Sequence, residues 1–339
     1  MNRNRPPAAI GIIFHPNFPS ASLAEYARKA ETAGFAELWL WDDCFLPGAF
    51  TSAAIALSAT QKLKVGIGLL PVPAYNPLFA AMEITPLATA FPGRFLPGFG
   101  HGVGSWMKQI GSAPKSPLKA MTETVTSVRR LLKGEKVTFH GDWLNLNDVQ
   151  MTVTPSAVPQ LYNGANREKS LALAGREADG TLLTSMSSPA YIKWALPHIQ
   201  AGMAESGRTL NRVTVYLDCK VSADGKSARE TTRRSLAERM PWDAAQMEAA
   251  GIIAEVEEFM QKYTTVEERT AALPDAWLDE LAACGTPAQV EASIHRWIEA
   301  GADTVVLQPL WGDPDCLDEY VRFLAPLGKL VNASSTPQE

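Results

Sequence analysis

Short apolar runs alternate with amphipathic stretches along most of the chain. Ala9–Phe14 is apolar throughout, the pattern of a strand buried on both faces. Residues 22–34 follow with apolar positions at helical spacing, a serine placed to cap the start and a glycine to stop the end. Residues 37–41 predict a second strand, closed by the acidic turn Asp42-Asp43. The spacing then predicts helix over 51–60, strand over 64–68, helix over 76–91 and strand over 95–100. Four strand–helix units in succession imply a parallel sheet. Right-handed crossovers can finish such a sheet as an open doubly wound layer or as a closed barrel.

The rhythm breaks after a helix over 118–132. Residues 136–146 read as a hairpin turning at Gly141-Asp142, an insertion near 136–154 that a barrel can carry outside its core. Alternation resumes with strand 160–163, helix 168–175, strand 180–184, helix 189–206 and strand 212–217. Residues 226–282 predict an entirely helical excursion with charged, exposed faces. A last long helix over 287–300 and an eighth strand over 303–308 complete the pattern. Eight strands is the number a (β/α)8 TIM barrel requires, and no Pro/Gly-rich linker divides the chain. The expectation is an α/β protein with one barrel domain over 1–330 and a flexible tail at 331–339.

Composition narrows the partners rather than the fold. With a net charge of −5 and no long basic run, neither nucleic acid nor an anionic membrane is an expected partner. The apolar stretch behind the N-terminus is too short for a signal peptide, and no later run approaches a membrane span, so a cytoplasmic protein is expected. Cys44, Cys219, Cys284 and Cys316 form no CxxC pair, which points to free thiols instead of a disulfide framework or a zinc site. Cys44 has no histidine near it in sequence to activate it as a nucleophile.

In a barrel, the chemistry gathers at the C-terminal ends of the strands. The residues following the predicted strands are His15; Asp42 and Asp43; Gly68 to Pro71; Gly100, His101 and Gly102; Asn163 to Asn166; Thr184 and Ser185; and Gln308. This set is rich in glycine and small polar groups. It holds no Ser/His/Asp order, no HExxH and no pair of glutamates, which suits a bound cofactor that performs the chemistry. His101, Asp43 and His15 are the candidate acid–base groups. The alternating glycines of 98–104, with Val103 among them, would let a flat ligand or another backbone approach closely. Asn163-Gly164-Ala165-Asn166 ends a strand and opens a helix, where backbone N–H groups can hold a phosphate or simply make a turn. Trp39 and Trp41 share one face of their strand and are expected in the core, whereas Trp106, in a loop, could wall a flat ring. A barrel lyase would need a lysine at a strand end for a Schiff base, and none is supplied there; a non-catalytic binding barrel stays open.

The run from Phe99 to Gly111, FGHGVGSWMKQIG, resembles a segment of the bacterial-luciferase-like flavin-dependent oxidoreductases, closest to their coenzyme F420 (deazaflavin) branch. Residues 33–42, 65–71 with Tyr75-Asn76-Pro77, 173–180, Gly285-Thr286-Pro287 and 300–303 match in the same order. The resemblance implies a TIM-barrel enzyme that moves a hydride between F420 and an unidentified organic substrate. The alternative it leaves is a reduced-FMN-dependent monooxygenase fed by a separate reductase. It also implies a non-proline cis peptide at Gly68–Leu69 behind the cofactor ring, with cofactor contacts at Asp42, Gly100, Gly102, Val103, Asn163, Gly164, Ala165, Asn166, Thr184 and Ser185. A homodimer through the helices at 51–60 and 77–89 is the further implication. The sugar-phosphate dehydrogenases of that branch carry a histidine after strand two and a glutamate in the glycine run. Asp43 and Val103 stand there in this chain, which argues against that reaction.

Overall fold

The computed structural model describes residues 8–311, 313 and 315–333. Eleven strands form among them: β1 (Ala9–Phe14), β2 (Glu37–Leu40), β3 (Lys64–Pro71), β4 (Phe95–Gly100), β5 (Val137–His140), β6 (Asn145–Val149), β7 (Tyr162–Gly164), β8 (Gly180–Leu183), β9 (Arg212–Val221), β10 (Ala282–Gly285) and β11 (Thr304–Pro309). Eight of them pair in parallel around a closed ring, in the order β1, β2, β3, β4, β7, β8, β9, β11 and back to β1. The register places Gly11 opposite Glu37, Ile12 opposite Leu307 and Leu183 opposite Val215. These eight are the strands the apolar runs predict, so the expected (β/α)8 barrel is the observed fold.

Two apolar layers hold the ring. Inside it, Ile13, Trp39, Leu96, Tyr162, Leu182, Tyr216 and Val306 form one buried cluster, which explains why the strands read as continuous apolar runs. Outside it, the helices Leu23–Ala33, Ala49–Ala59, Pro77–Ala90, Pro117–Leu132, Glu168–Glu177, Pro189–Ser206 and Pro287–Ala300 close over the second face of the strands. The last of these begins with Thr286 accepting from Gln289 N–H while Gln289 accepts from Thr286 N–H, and Pro287 occupies the first turn. Below Trp39 the barrel interior turns polar. Trp39 Nε1 donates to Glu37 at 2.8 Å and Arg212 donates to Thr304 Oγ1 at 2.7 Å.

The departures from the sequence reading lie outside the ring. The hairpin forms as expected, β5 pairing antiparallel with β6 around residues 141–144. The excursion at 226–282 is not helical to its end, because β10 begins at Ala282. The cause is in β9, which runs on past the end of β8 and leaves an open edge from Asp218 to Val221; β10 pairs there. Nor is the excursion merely a charged exposed arm. Its five helices bury a core of their own, in which Trp277 meets Trp242 at 5.8 Å and Phe259 at 5.2 Å between ring centroids. Residues 287–300 are not the last long helix, since Cys316–Ala333 follows β11. That helix takes in residues 331–333 of the expected flexible tail; 334–339 lie outside the described residues. No helix among the described residues is long and apolar enough to cross a membrane.

Candidate active site

The C-terminal ends of the strands open onto a cavity of about 630 Å³, within the size range of small-molecule and cofactor sites. Its floor is built around β3. The Gly68–Leu69 peptide is cis, as the resemblance implied, and the β3–β4 register breaks between Ile67 and Leu70. Leu69 is thereby pushed out of the ladder and lies over the ends of β4 and β7. A Cβ on Gly100 would sit 2.9 Å from the Leu69 side chain, and one on Gly164 would overlap it. Gly100 and Gly164 are therefore required by the bulged leucine, and through it they shape one apolar wall of the cavity, whereas Gly102 makes room for Met107 and Pro71. Gly68 is hemmed in likewise, by the Tyr216 hydroxyl and by Leu182.

Of the residues the sequence singled out, Asp42, Asp43, Gly68, Leu69, Gly100, His101, Gly102, Val103, Gly164, Ala165, Asn166, Thr184 and Ser185 all line this cavity. Asp42 is committed to structure: one oxygen accepts from Ala49 N–H at 2.9 Å and the other from the Tyr75 hydroxyl at 2.7 Å. Asp43 is left for chemistry, and burial together with the neighbouring Asp42 charge raises its pKa above the ordinary carboxylate value. His101 has its pKa lowered by burial, against an opposing hydrogen bond between Nδ1 and the Pro117 carbonyl at 3.2 Å. With Nδ1–H facing that carbonyl, Nε2 keeps its lone pair. Burial, Asp42 and Asp43 raise the pKa of Cys44, so it rests as a thiol and not as an activated thiolate.

His15 and Asn163 do not line the cavity. His15 is 1% exposed, edge-on to Trp41 and Trp311 with ring centroids 4.8 and 4.5 Å away. Burial pulls its pKa down to about 4. Its Nδ1 accepts from Asn17 N–H at 3.2 Å, so the neutral ring carries its proton on Nε2. That Nε2 has no partner among the described residues, and the same holds for Trp41 Nε1, Tyr216 Oη and both amide atoms of Asn163. Of these, Trp41 Nε1 and Tyr216 Oη belong to residues that line the cavity, and buried polar atoms without a partner are unusual in protein interiors.

Sequence reading did not single out Met107, Tyr216, Trp311 and Arg239 as lining residues, and Trp41, expected in the core, lines the cavity as well. Trp311 follows β11 by two positions and is 63% exposed at the rim. Arg239 arrives from the helical excursion, its guanidinium paired with Asp218 at 2.7 and 3.3 Å; Gln308 also donates to Asp218 at 2.8 Å. Asp218 lies directly beyond the predicted seventh strand, and a carboxylate there was the available signal. The loop after β4 carries a further short helix, Gly104–Gln109, which brings Trp106 to the cavity wall as expected.

The sequence profile described as luciferase-like monooxygenase matches residues 4–304. The chain is 27% identical over 314 residues to the 5,10-methylenetetrahydromethanopterin reductase of Methanolobus tindarius, covering 87% of this chain and 92% of that protein. It is 28% identical over 324 residues to the F420-dependent glucose-6-phosphate dehydrogenase of Kineococcus radiotolerans, covering 91% and 88%. Among solved structures, the coenzyme F420-dependent tetrahydromethanopterin reductase of Methanopyrus kandleri superposes with a TM-score of 0.82 at 22% identity, over 95% of this chain and 99% of that one. Profile, ordered motifs and barrel agree: this chain belongs to the luciferase-like monooxygenase family.

Proposed function

We propose that the protein is a coenzyme F420-dependent oxidoreductase that transfers a hydride between the deazaflavin and an organic substrate. The observation that carries this reading is the strand-end cavity, in which Leu69 makes an apolar wall and unsatisfied polar atoms border it. A flat ring with a polar edge fits both features, since it can rest on Leu69 and supply partners to buried donors. The F420-dependent activities named for relatives with similar sequence and fold favour the deazaflavin over FMN.

In this reading Leu69, Gly100, Gly102 and Val103 support the ring. Gly164, Ala165 and Asn166, just before the Glu168–Glu177 helix, would border the cofactor phosphate with Thr184 and Ser185 alongside, while Asn163 stands behind that wall and the Ala165 N–H is already given to the Leu182 carbonyl. A bound reduced deazaflavin supplies two electrons and a hydrogen as hydride to a substrate carbon. Asp43, whose carboxyl burial and the neighbouring Asp42 charge push above the ordinary carboxylate range, would pass a proton to the substrate heteroatom and regain one from solvent through the open mouth. His15 fixes the Trp41 and Trp311 walls and His101 faces the cavity as a second polar group. We further take the chain to act as one barrel domain over 1–330, in the cytoplasm, as a homodimer.

Fluorescence titration of the protein with F420 and with FMN tests the reading. Micromolar F420 binding with much weaker FMN binding is the expected result. A preference for FMN would move the assignment to a monooxygenase supplied by a separate reductase, and binding of neither would remove it.

A further inference from the structure

The substrate half of the cavity has a charge pattern that the proposed activity alone does not determine. Asp42 and Asp43 stand at its edge, and the one arginine among the described lining residues is already paired with a carboxylate. Arg239 places both terminal nitrogens on Asp218 and its Nε on the Ser235 carbonyl at 3.2 Å. Asp218 is fully buried and takes a third hydrogen bond from Gln308, so the carboxylate is fixed in place to match the arginine's charge. His101 is turned toward the Pro117 carbonyl. Among the described lining residues, then, the one arginine has its charge already matched by a buried carboxylate, and no unmatched cation awaits an incoming phosphate or carboxylate. Such a group would be desolvated beside two aspartates without compensation.

The rim supplies the opposite signal. Trp311, Phe45 and Val103 are 63%, 65% and 45% exposed, and Trp311 and Val103 line the same cavity. Phe45 is held out by a left-handed backbone, φ 73°, and its ring meets Trp106, another lining residue, edge-on at 6.2 Å. Large apolar side chains gathered at the mouth of one cavity mark a surface that a ligand covers.

We propose that the substrate is an uncharged, flat apolar molecule carrying one carbonyl or hydroxyl oxygen, gripped between Trp311 and the Trp106–Phe45 pair with that oxygen toward Asp43. This rests on the F420 reading for the reaction but not for the binding. The class includes aryl ketones and their alcohols and leaves out sugar phosphates. Trp311 and Trp106 are its specificity-determining residues, because they contact the substrate's faces and leave the cofactor's Leu69 wall untouched.

The experiment is calorimetric titration of the protein, alone and after F420 loading, with acetylnaphthalene, with acetylnaphthoate as the same frame bearing a carboxylate, and with glucose-6-phosphate. Acetylnaphthalene is expected to bind at least about tenfold more tightly than its carboxylate twin. Glucose-6-phosphate should neither bind nor displace it. Trp311→Ala should weaken acetylnaphthalene by roughly tenfold while leaving F420 affinity unchanged. Phe45→Lys, which puts an exposed cation at the rim in place of a ring, should narrow the gap for acetylnaphthoate. Equal or tighter binding of either anion, or indifference of acetylnaphthalene to Trp311→Ala, would overturn the proposal. If the neutral probe binds selectively but F420 does not bind at all, the substrate class stands and the hydride-transfer reading falls.

Discussion

Leu69 is a residue whose placement depends on what its neighbours lack, and Gly68 shows the same dependence from the other side. A valine at Gly68 would drive its Cβ into the Tyr216 hydroxyl and Leu182. Overpacking of this kind costs about 1–3 kcal/mol. Gly68→Val is therefore expected to lower stability by that amount in urea unfolding and to weaken F420 by roughly tenfold in fluorescence titration, as the shift reaches Leu69. Unchanged affinity in a folded variant would place the ring elsewhere. His15 makes a second prediction at this scale. Burial lowers its folded-state pKa from 6.5 to about 4, so the native state favours the neutral ring. The stability this contributes is complete above pH 6.5 and drains away as pH falls toward 4, while the unfolded chain takes up the proton. The total is on the order of 3 kcal/mol. His15→Phe should lose less stability than the native chain over that interval, measured by urea unfolding at a series of pH values; parallel curves would show that His15 is protonated as easily folded as unfolded. Residues that follow a strand directly, such as Asp43 and His101, were legible because barrel geometry alone sends them to the site. That His15 packs behind the wall was not, since nothing in the sequence of β1 tells which tryptophans close over it.

At the scale of elements, the strands were readable and the excursion was not, for one physical reason. Strands such as Ile10–Phe14 are buried on both faces, so apolar continuity marks them without knowledge of the rest of the chain. The core between Trp242, Phe259 and Trp277 joins short helices whose apolar stripes have meaning only once they face one another. β10 is four residues long, Ala-Ala-Cys-Gly, too short to show a period, and exists because β9 offers it an edge. The Asp218–Arg239 pair ties this excursion to the barrel. Breaking it from the cation side leaves Asp218, 1% exposed, with only the Gln308 amide. Arg239→Met is expected to cost about 3–5 kcal/mol in urea unfolding, and adding Asp218→Asn should return most of the loss, because the uncompensated charge is the main penalty. A loss of under about 1 kcal/mol would mean that solvent already screens the pair.

For the whole molecule the open question is what covers the outside of the barrel near β2 and β3. Phe79 and Met82 on the Pro77–Ala90 helix are 61% and 48% exposed, and Ile55 on Ala49–Ala59 is 38% exposed. None of the three lines the cavity, so substrate and cofactor do not account for them. Both helices are otherwise rich in alanine, which allows another helix to approach closely. A two-fold dimer would use this face twice, so one exposed phenylalanine becomes two anchors and one introduced charge becomes two unpaired charges. Phe79→Glu combined with Met82→Glu is expected to convert a dimer of the 36.7 kDa chain to monomer in sedimentation velocity at micromolar concentration. Because the face lies on the outer helices and the cavity at the strand ends, F420 affinity should survive the change. A native protein that sediments as monomer, or a double variant that remains dimeric, would move the interface away from these helices. Loss of cofactor binding together with dimerisation would instead mean that the second copy holds the β3 end of the site in place, coupling assembly to the Leu69 wall.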